Sequence, residues 1–462
     1  MKKILLLFLL ILHVASYCQQ KMNNVAPLDY QWTYVGDSGF SESGASNISL
    51  SLSLGGQPYV AFSDQSFEGR ATVMMFDGNT WEYVGNPGFS LGYAFSICLA
   101  FSPSGEPFIS FVDDSLSRQP TVMRFDGNNW IYVGNAGFGT LYAWGTSLAF
   151  SQTGEVFVAF DEWQSLGART SVMTFDGSSW VYVGDSCFSP ADGGADLVIS
   201  PTGQLFVAGS YGYNAYYVSV MKFNGINWEF VGGQGFQSHA IGTKLAFNPP
   251  GDPYVIFIIL DKPHFPAGAL TVMRFDGYGW LLVGDPGAAA YGGASDIAFS
   301  PSGELYISFS NVLYNHKVSV MKFDGTTWEY VGEPGISPGH ITNSNLEFSP
   351  DGVPFIAYSN YETPYKAVVM KYDSIDIGIP EYQNQQFTIF PNPALNDISI
   401  TLTNSREQII GVEIFDLIGR KVMEIKSTCY RCDLNIEKIS IGTYIVKVRT
   451  TQSLYIGKFC KG

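Results

Sequence analysis

The chain has 462 residues and a formal net charge of −16, with 46% hydrophobic and 15% aromatic residues, 14% charged residues and 50 glycines. This composition excludes a disordered tail and a charged helical bundle and suits an all-β protein rich in turns. Residues 22–386 carry 34 acidic against 12 basic side chains, so nucleic acid is not expected as a partner, whereas residues 387–462 carry 7 against 10.

Residues 1–18 read as a signal peptide. Lys2 and Lys3 precede the apolar run "ILLLFLLILHV", and small residues stand before the polar "QQ". Cleavage is expected near Ser16 or Cys18, and the bulky Tyr17 argues against a lipid anchor on Cys18. No other run has the length of a membrane helix, so no transmembrane span is expected.

From residue 29 to residue 373 the sequence repeats itself. Trp32, Trp81, Trp130, Trp180, Trp228, Trp280 and Trp328 are spaced by 49, 49, 50, 48, 52 and 48 residues, and each begins a Trp-x-x-Val-Gly string. Between them recur segments such as "LAFSPSGEPFISFVDD" at Leu99 and "TVMRFDGNNWIYVG" at Thr121. Each unit reads as four short strands, a to d, because alternating or wholly apolar runs are bounded by Gly, Pro, Asp and Ser. Four strands per 40–50 residues is the arithmetic of a propeller blade. The array starts with a lone strand d at Trp32 and finishes with a, b and c only, near Ala367. Pairing residues 32–36 with 367–373 would complete seven blades and remove two exposed edges. Such a ring resembles the seven-bladed β-propellers that close by a split blade.

Residues 374–386 read as a linker, and residues 387–462 as a small antiparallel β-sandwich. Pro391, Asn392 and Pro393, then Asp416 and Gly419 in "VEIFDLIGRKV", then Gly442 and Tyr444 in "GTYIV", follow one another in an order that resembles the type A C-terminal sorting domain of the type IX secretion system. The resemblance implies an outer-membrane translocon and sortase as partners, a Bacteroidota-type origin, and release or anchoring at the cell surface. "CYRC" at Cys429 and Cys432 stands outside the family pattern. With Cys460 it leaves the disulfide state open, and it lacks the second ligand pair of a zinc site.

The recurrent Asp-Gly is similar to the Asp-box turn of sialidase-like propellers, although Asp and Gly are adjacent here and the upstream Ser is missing. Its expected role is structural: Asp caps the turn and Gly takes a positive φ. The repeated Trp is expected to pack between blades. The loops that do not repeat, b–c and d–a, share one face of a propeller. They hold Tyr93, Tyr142, Trp144, Trp163, Tyr211, Tyr213 and Tyr291, with carboxylates Asp113 and Asp161 among them. Exposed rings beside acids suit stacking on sugars or an aromatic-anchored protein contact, so these nine residues form the candidate ligand site. The four histidines after residue 18, His239, His264, His316 and His340, come from separate loops without ligand spacing, so no metal and no cofactor are expected. No Ser-His-Asp order, HExxH motif or phosphate loop is present. The leading expectation is a monomeric, secreted or surface-bound binding protein for a glycan or a protein. A secreted glycan hydrolase or lyase is the second reading, and a structural or adhesive surface protein the third.

Overall fold

The computed structural model describes residues 30–165, 167–190, 193–212, 216–260, 268–285, 292–361, 365–374, 387–402, 407–416, 420–426, 428–451 and 454–462. The expected signal peptide and residues 375–386 lie outside them. Two compact units divide the described chain, one of them Tyr30–Asp373. It holds seven four-stranded antiparallel sheets.

Blade 1 comprises Ala45–Leu52, Pro58–Asp64, Arg70–Phe76 and Trp81–Tyr83, and blade 2 comprises Ala94–Phe101, Pro107–Asp113, Gln119–Phe125 and Trp130–Tyr132. Blade 3 is Ala143–Phe150, Val156–Gln164, Gly167–Phe175 and Trp180–Tyr182; blade 4 is Asp196–Ile199, Leu205–Tyr211, Tyr217–Phe223 and Trp228–Phe230. Blade 5 follows with Ala240–Phe247, Pro253–Ile259, Ala269–Phe275 and Trp280–Leu282, and blade 6 with Gly292–Phe299, Leu305–Asn311, Lys317–Phe323 and Trp328–Tyr330. Blade 7 takes strands a to c from Ile341–Phe348, Pro354–Asn360 and Lys366–Ser374, and its strand d from Tyr30–Tyr34 at the other end of the array. The ring therefore closes through the split blade, and the fold is an all-β, seven-bladed propeller.

The repeated residues explain how the blades adhere. Each Trp indole donates to the Val carbonyl of the preceding blade: Trp81 to Val35, Trp130 to Val84, Trp180 to Val133 and Trp228 to Val183, at 2.7–2.8 Å. Trp280 to Val231, Trp328 to Val283 and Trp32 to Val331 complete the circle at 2.9, 3.1 and 2.7 Å. The glycine after each Val lies under the next blade's Trp. At Gly232, where φ is +73°, a Cβ would come within 2.8 Å of the Trp280 indole. A phenylalanine stacks on most of these indoles, as Phe188 does on Trp228 at 4.4 Å and 6°. The Asp-Gly hairpin is a turn cap: Asp126 Oδ1 accepts from the amides of Asn128 and Asn129 at 2.9 and 2.8 Å.

Strands b and c are covered by a blade on each side. This is why Pro107–Asp113 is buried at every residue and reads as a continuous apolar run rather than an alternating one. Strand a lies innermost and packs against the inner strands of both neighbouring blades.

In the second unit, two sheets form a sandwich. One contains Phe387–Phe390, Asp397–Leu402 and Arg431–Asn435, and the other orders Lys421–Ile425, Ile409–Asp416, Gly442–Thr450 and Leu454–Lys461. Ile398, Ile400, Val412, Ile414, Leu434, Val446, Val448 and Phe459 fill its core. Asn392 Oδ1 accepts from the Cys460 amide at 2.9 Å between Pro391 and Pro393. Asp416 binds both the amide and the guanidinium of Arg420. The Tyr444 hydroxyl donates to the Ser440 carbonyl at 2.7 Å. Gly442 opens its strand, and Gly419 lies outside the described residues. Cys432 is buried in the core, where burial, with Cys429 beside it, pushes its thiol up to about 11.

Candidate functional site

Strand a does not run straight to the upper face. In six blades its pairing with strand b slips near the top, between Ser46 and Ser49 in blade 1 and between Trp144 and Thr146 in blade 3. Asn47, Ser96, Gly145 and Gly242 sit in four of these bulges with positive φ. A bulge bends the strand and re-aims its side chains, and these four residues line the mouth of a cavity of about 1350 Å³ on the loop face of the ring.

Blade 3 supplies its aromatic wall. Trp144 pairs with Asp161, and the Trp163 amide donates to the Tyr142 carbonyl at 2.8 Å. Opposed residues share a face and successive ones alternate, so Tyr142, Trp144, Asp161 and Trp163 all belong to one face, and all four line the cavity. Trp144 and Trp163 are 58% and 57% exposed, which leaves both ring systems available to a ligand. Glu162, on the opposite face, is buried and engaged by the hydroxyls of Ser171 at 2.7 Å and Tyr182 at 3.0 Å. Its charge serves the blade interior.

Asp161 lies in the cavity wall, almost wholly covered. Its Oδ1 accepts from the Thr170 hydroxyl at 2.6 Å and its Oδ2 from the Ala195 amide at 3.3 Å. Burial outweighs both bonds and pushes the carboxyl from 3.8 up to about 6. Gly193, which takes the place of Trp144 in blade 4, keeps this corner open: a Cβ there would stand 2.8 Å from Asp161 Oδ1.

A polar ring runs around the innermost strands, and its members Asp196, Lys244 and Asn345 line the cavity as its floor. The residue just before the repeated Leu or Ile of strand a reaches across to the next blade, so Leu99, Leu148, Leu197, Leu245 and Leu346 donate their amides to Ser49, Cys98, Ser147, Asp196 and Asp296. Lys244 occupies the same position in blade 5 and binds Asp196 at 2.9 Å. Asp196, and after it Asp296, hold Lys244 above its ordinary value against desolvation. Asp296 is pushed up to about 6 by burial, and Glu347 to about 8 by burial with Asp296 beside it. Asn47, Thr342 and Asn343 provide a neutral hydrogen-bonding wall.

The other expected ligand residues stand elsewhere. Tyr93 is half-buried, folded over Gly69, with its hydroxyl bonded to Ser46 at 3.0 Å. Asp113 is fully buried and accepts from the amides of Leu91, Gly92 and Ser115, so it braces its loop and does not line the cavity. Tyr211 ends strand b rather than projecting from a loop. It is 1% exposed and packs over Gly209 beside Asp161. Tyr213 and Tyr291 lie outside the described residues. His316 and His340 approach to 5.4 Å between ring centroids, His340 stacking on Tyr361. Among the described residues no group of three or more His, Cys, Asp or Glu converges as a metal site. Sequence motifs do not point to these floor charges, although comparing strand a across the repeats singles out Lys244 as the only cation at its position.

Residues 388–461 match the secretion system C-terminal sorting domain family. No curated protein matches the chain. Among solved structures, the chain is similar to a polysaccharide lyase of family PL25, an ulvan lyase, with TM-score 0.49, 12% identity and coverage of 72% of this chain and 94% of that one. It is similar to the GH93 α-L-arabinofuranosidase of Fusarium graminearum, with TM-score 0.47, 11% identity and coverage of 75% and 97%. The Aleuria aurantia lectin gives TM-score 0.42, 15% identity and coverage of 66% and 100%. No helix among the described residues is long and apolar enough to cross a membrane. The chain is a seven-bladed β-propeller that carries a secretion system C-terminal sorting domain, and it is exported by the type IX route to the cell surface or the extracellular space.

Proposed function

We propose that the secreted propeller binds carbohydrate in the cavity of its loop face, with Trp144 and Trp163 as the stacking platform. The observation that carries this reading is the one-face set Tyr142, Trp144, Asp161 and Trp163 on a cavity of about 1350 Å³. Exposed indoles match the apolar faces of sugar rings, and Asn47, Thr342 and Asn343, already bonded to Ser63, Ser96, Ile48 and one another, present their remaining donor and acceptor positions to sugar hydroxyls. Binding to a glycan array is expected, with affinity falling about tenfold or more in Trp144→Ala and in Trp163→Ala. Unchanged binding in both variants would falsify this site.

A second reading, hydrolysis or elimination on the bound glycan, is favoured by one observation. Burial pushes the Asp161 carboxyl up to about 6, so it keeps a proton on the acid side of neutrality, where it can act as a general acid. Turnover that disappears in Asp161→Asn while binding survives would support it. Full turnover in that variant would remove Asp161 from the chemistry.

A further inference from the structure

We infer that the cavity takes an uncharged glycan and rejects chains bearing carboxylate or sulfate groups, an inference that rests on the carbohydrate reading above. The charged side chains among the described lining residues are Asp161, Asp196 and Lys244. The single cation is already committed: Lys244 Nζ stands 2.9 Å from Asp196 Oδ1, and Asp296 adds a second carboxylate to its surroundings. No arginine lines the cavity among the described residues.

Arg118, which touches the lining residue Tyr142, is committed too. Its Nε binds Asp114 at 2.8 Å and its Nη1 donates to the Tyr142 hydroxyl, while its guanidinium lies 5.0 Å from the Phe95 ring centre and 5.1 Å from that of Tyr142. It therefore steadies the ring and has its charge matched by Asp114.

An anionic sugar entering the cavity would bring its charge beside Asp161, which has no cation partner among the lining residues, while the charge of Lys244 is already offset by Asp196. In a partly desolvated site that repulsion is screened poorly. The acidic excess of residues 22–386, 34 against 12, opposes its approach from a distance as well. A neutral chain meets none of these costs and finds two indoles and an amide-and-hydroxyl wall. The discrimination is thus built from repulsion as much as from fit.

Calorimetry on the intact exported protein provides the test. The neutral probes are cello-, manno-, xylo- and arabino-oligosaccharides; the charged ones are oligogalacturonates and dextran sulfate. At least one neutral probe is expected to bind, with every charged probe at least about tenfold weaker. Trp163→Ala should weaken the neutral probe, and Asp161→Asn should narrow the gap by admitting charged probes. Residual binding of a charged probe should strengthen with added salt. A charged probe that binds as tightly as any neutral one, and loses affinity in Trp163→Ala, overturns the inference and leaves the carbohydrate reading intact. An unchanged gap in Asp161→Asn, or charged binding that weakens with salt, removes the electrostatic basis. If neither class binds, both readings fall.

Discussion

Asp161 occupies a place where the other blades carry Ser63, Val112, Ser210, Ile258, Ser310 and Ser359, and its partner Thr170 replaces Ala71, Pro120, Val218, Leu270, Val318 and Ala367. The two departures come as a pair because a buried carboxylate needs a donor. This has a thermodynamic signature. The folded state holds the Asp161 proton up to about 6, Asp296 likewise to about 6 and Glu347 to about 8, whereas the unfolded chain releases them near ordinary carboxylate values. Between those limits the folded protein binds more protons than the unfolded one, so stability falls as pH rises through roughly 4 to 8. Denaturant midpoints should therefore be higher at pH 5 than at pH 8. Glu347→Gln should flatten the upper part of the slope and Asp161→Asn the lower part. A midpoint that rises steadily across this range would contradict the raised carboxyls. At this scale the sequence was partly legible. Trp144 and Trp163, expected in loops, lie at the ends of strands a and b of blade 3. Tyr211 departs from the expected loop position because Gly209, two residues earlier, vacates the space that Phe62, Phe111, Phe160, Phe257 and Phe309 fill in other blades, and the tyrosine ring packs over it.

The repeated strings acquire their reasons at the level of the element. Trp-x-x-Val-Gly is one half of a joint whose other half lies in the next blade, so its glycine answers to a tryptophan about fifty residues away. Gly232→Ala and Gly225→Ala make a matched comparison, since both glycines have positive φ but only the first faces an indole. Gly225→Ala should cost about 1–2 kcal/mol for the backbone conformation. Gly232→Ala should cost about 1–3 kcal/mol more, as overpacking against Trp280. Equal losses in thermal or denaturant unfolding would mean that the blades part without resistance at this joint. The strands and the Asp-Gly hairpins were readable from periodicity and turn chemistry. The bulges in strand a were not, because an extra residue with positive φ leaves little trace where Asn47 and Ser96 supply it in place of glycine. These bulges aim the cavity wall, so the loops were readable as a recognition face while the floor was not.

Taken as a whole, the ring depends on one joint that the covalent chain does not make. Strand d of blade 7 arrives from Tyr30–Tyr34 and pairs with Lys366–Ser374, and Trp32 carries the bond to Val331 that the six other tryptophans make elsewhere. Deleting residues 30–36 should leave an unpaired edge strand, broaden or split the unfolding transition, and promote self-association visible in sedimentation. A deletion variant that stays monomeric with an unchanged melt would show that closure contributes nothing. The offset between the first and last units of the array made this joint legible from sequence, because a count of strands suffices. What occupies the cavity was not legible, since the residues proposed to bind are those at which the repeat departs from its own pattern.

The split blade also fixes where the chain enters and leaves the propeller. Strand c runs away from the cavity mouth and strand d runs back toward it, so Ser374 leaves, and Tyr30 begins, at the turn side of the ring. The rings of Tyr30 and Tyr372 lie 5.7 Å apart there. Both ends of the described propeller chain therefore lie on the side opposite the cavity. A partner that engages the cavity face therefore meets neither end of the propeller's own chain.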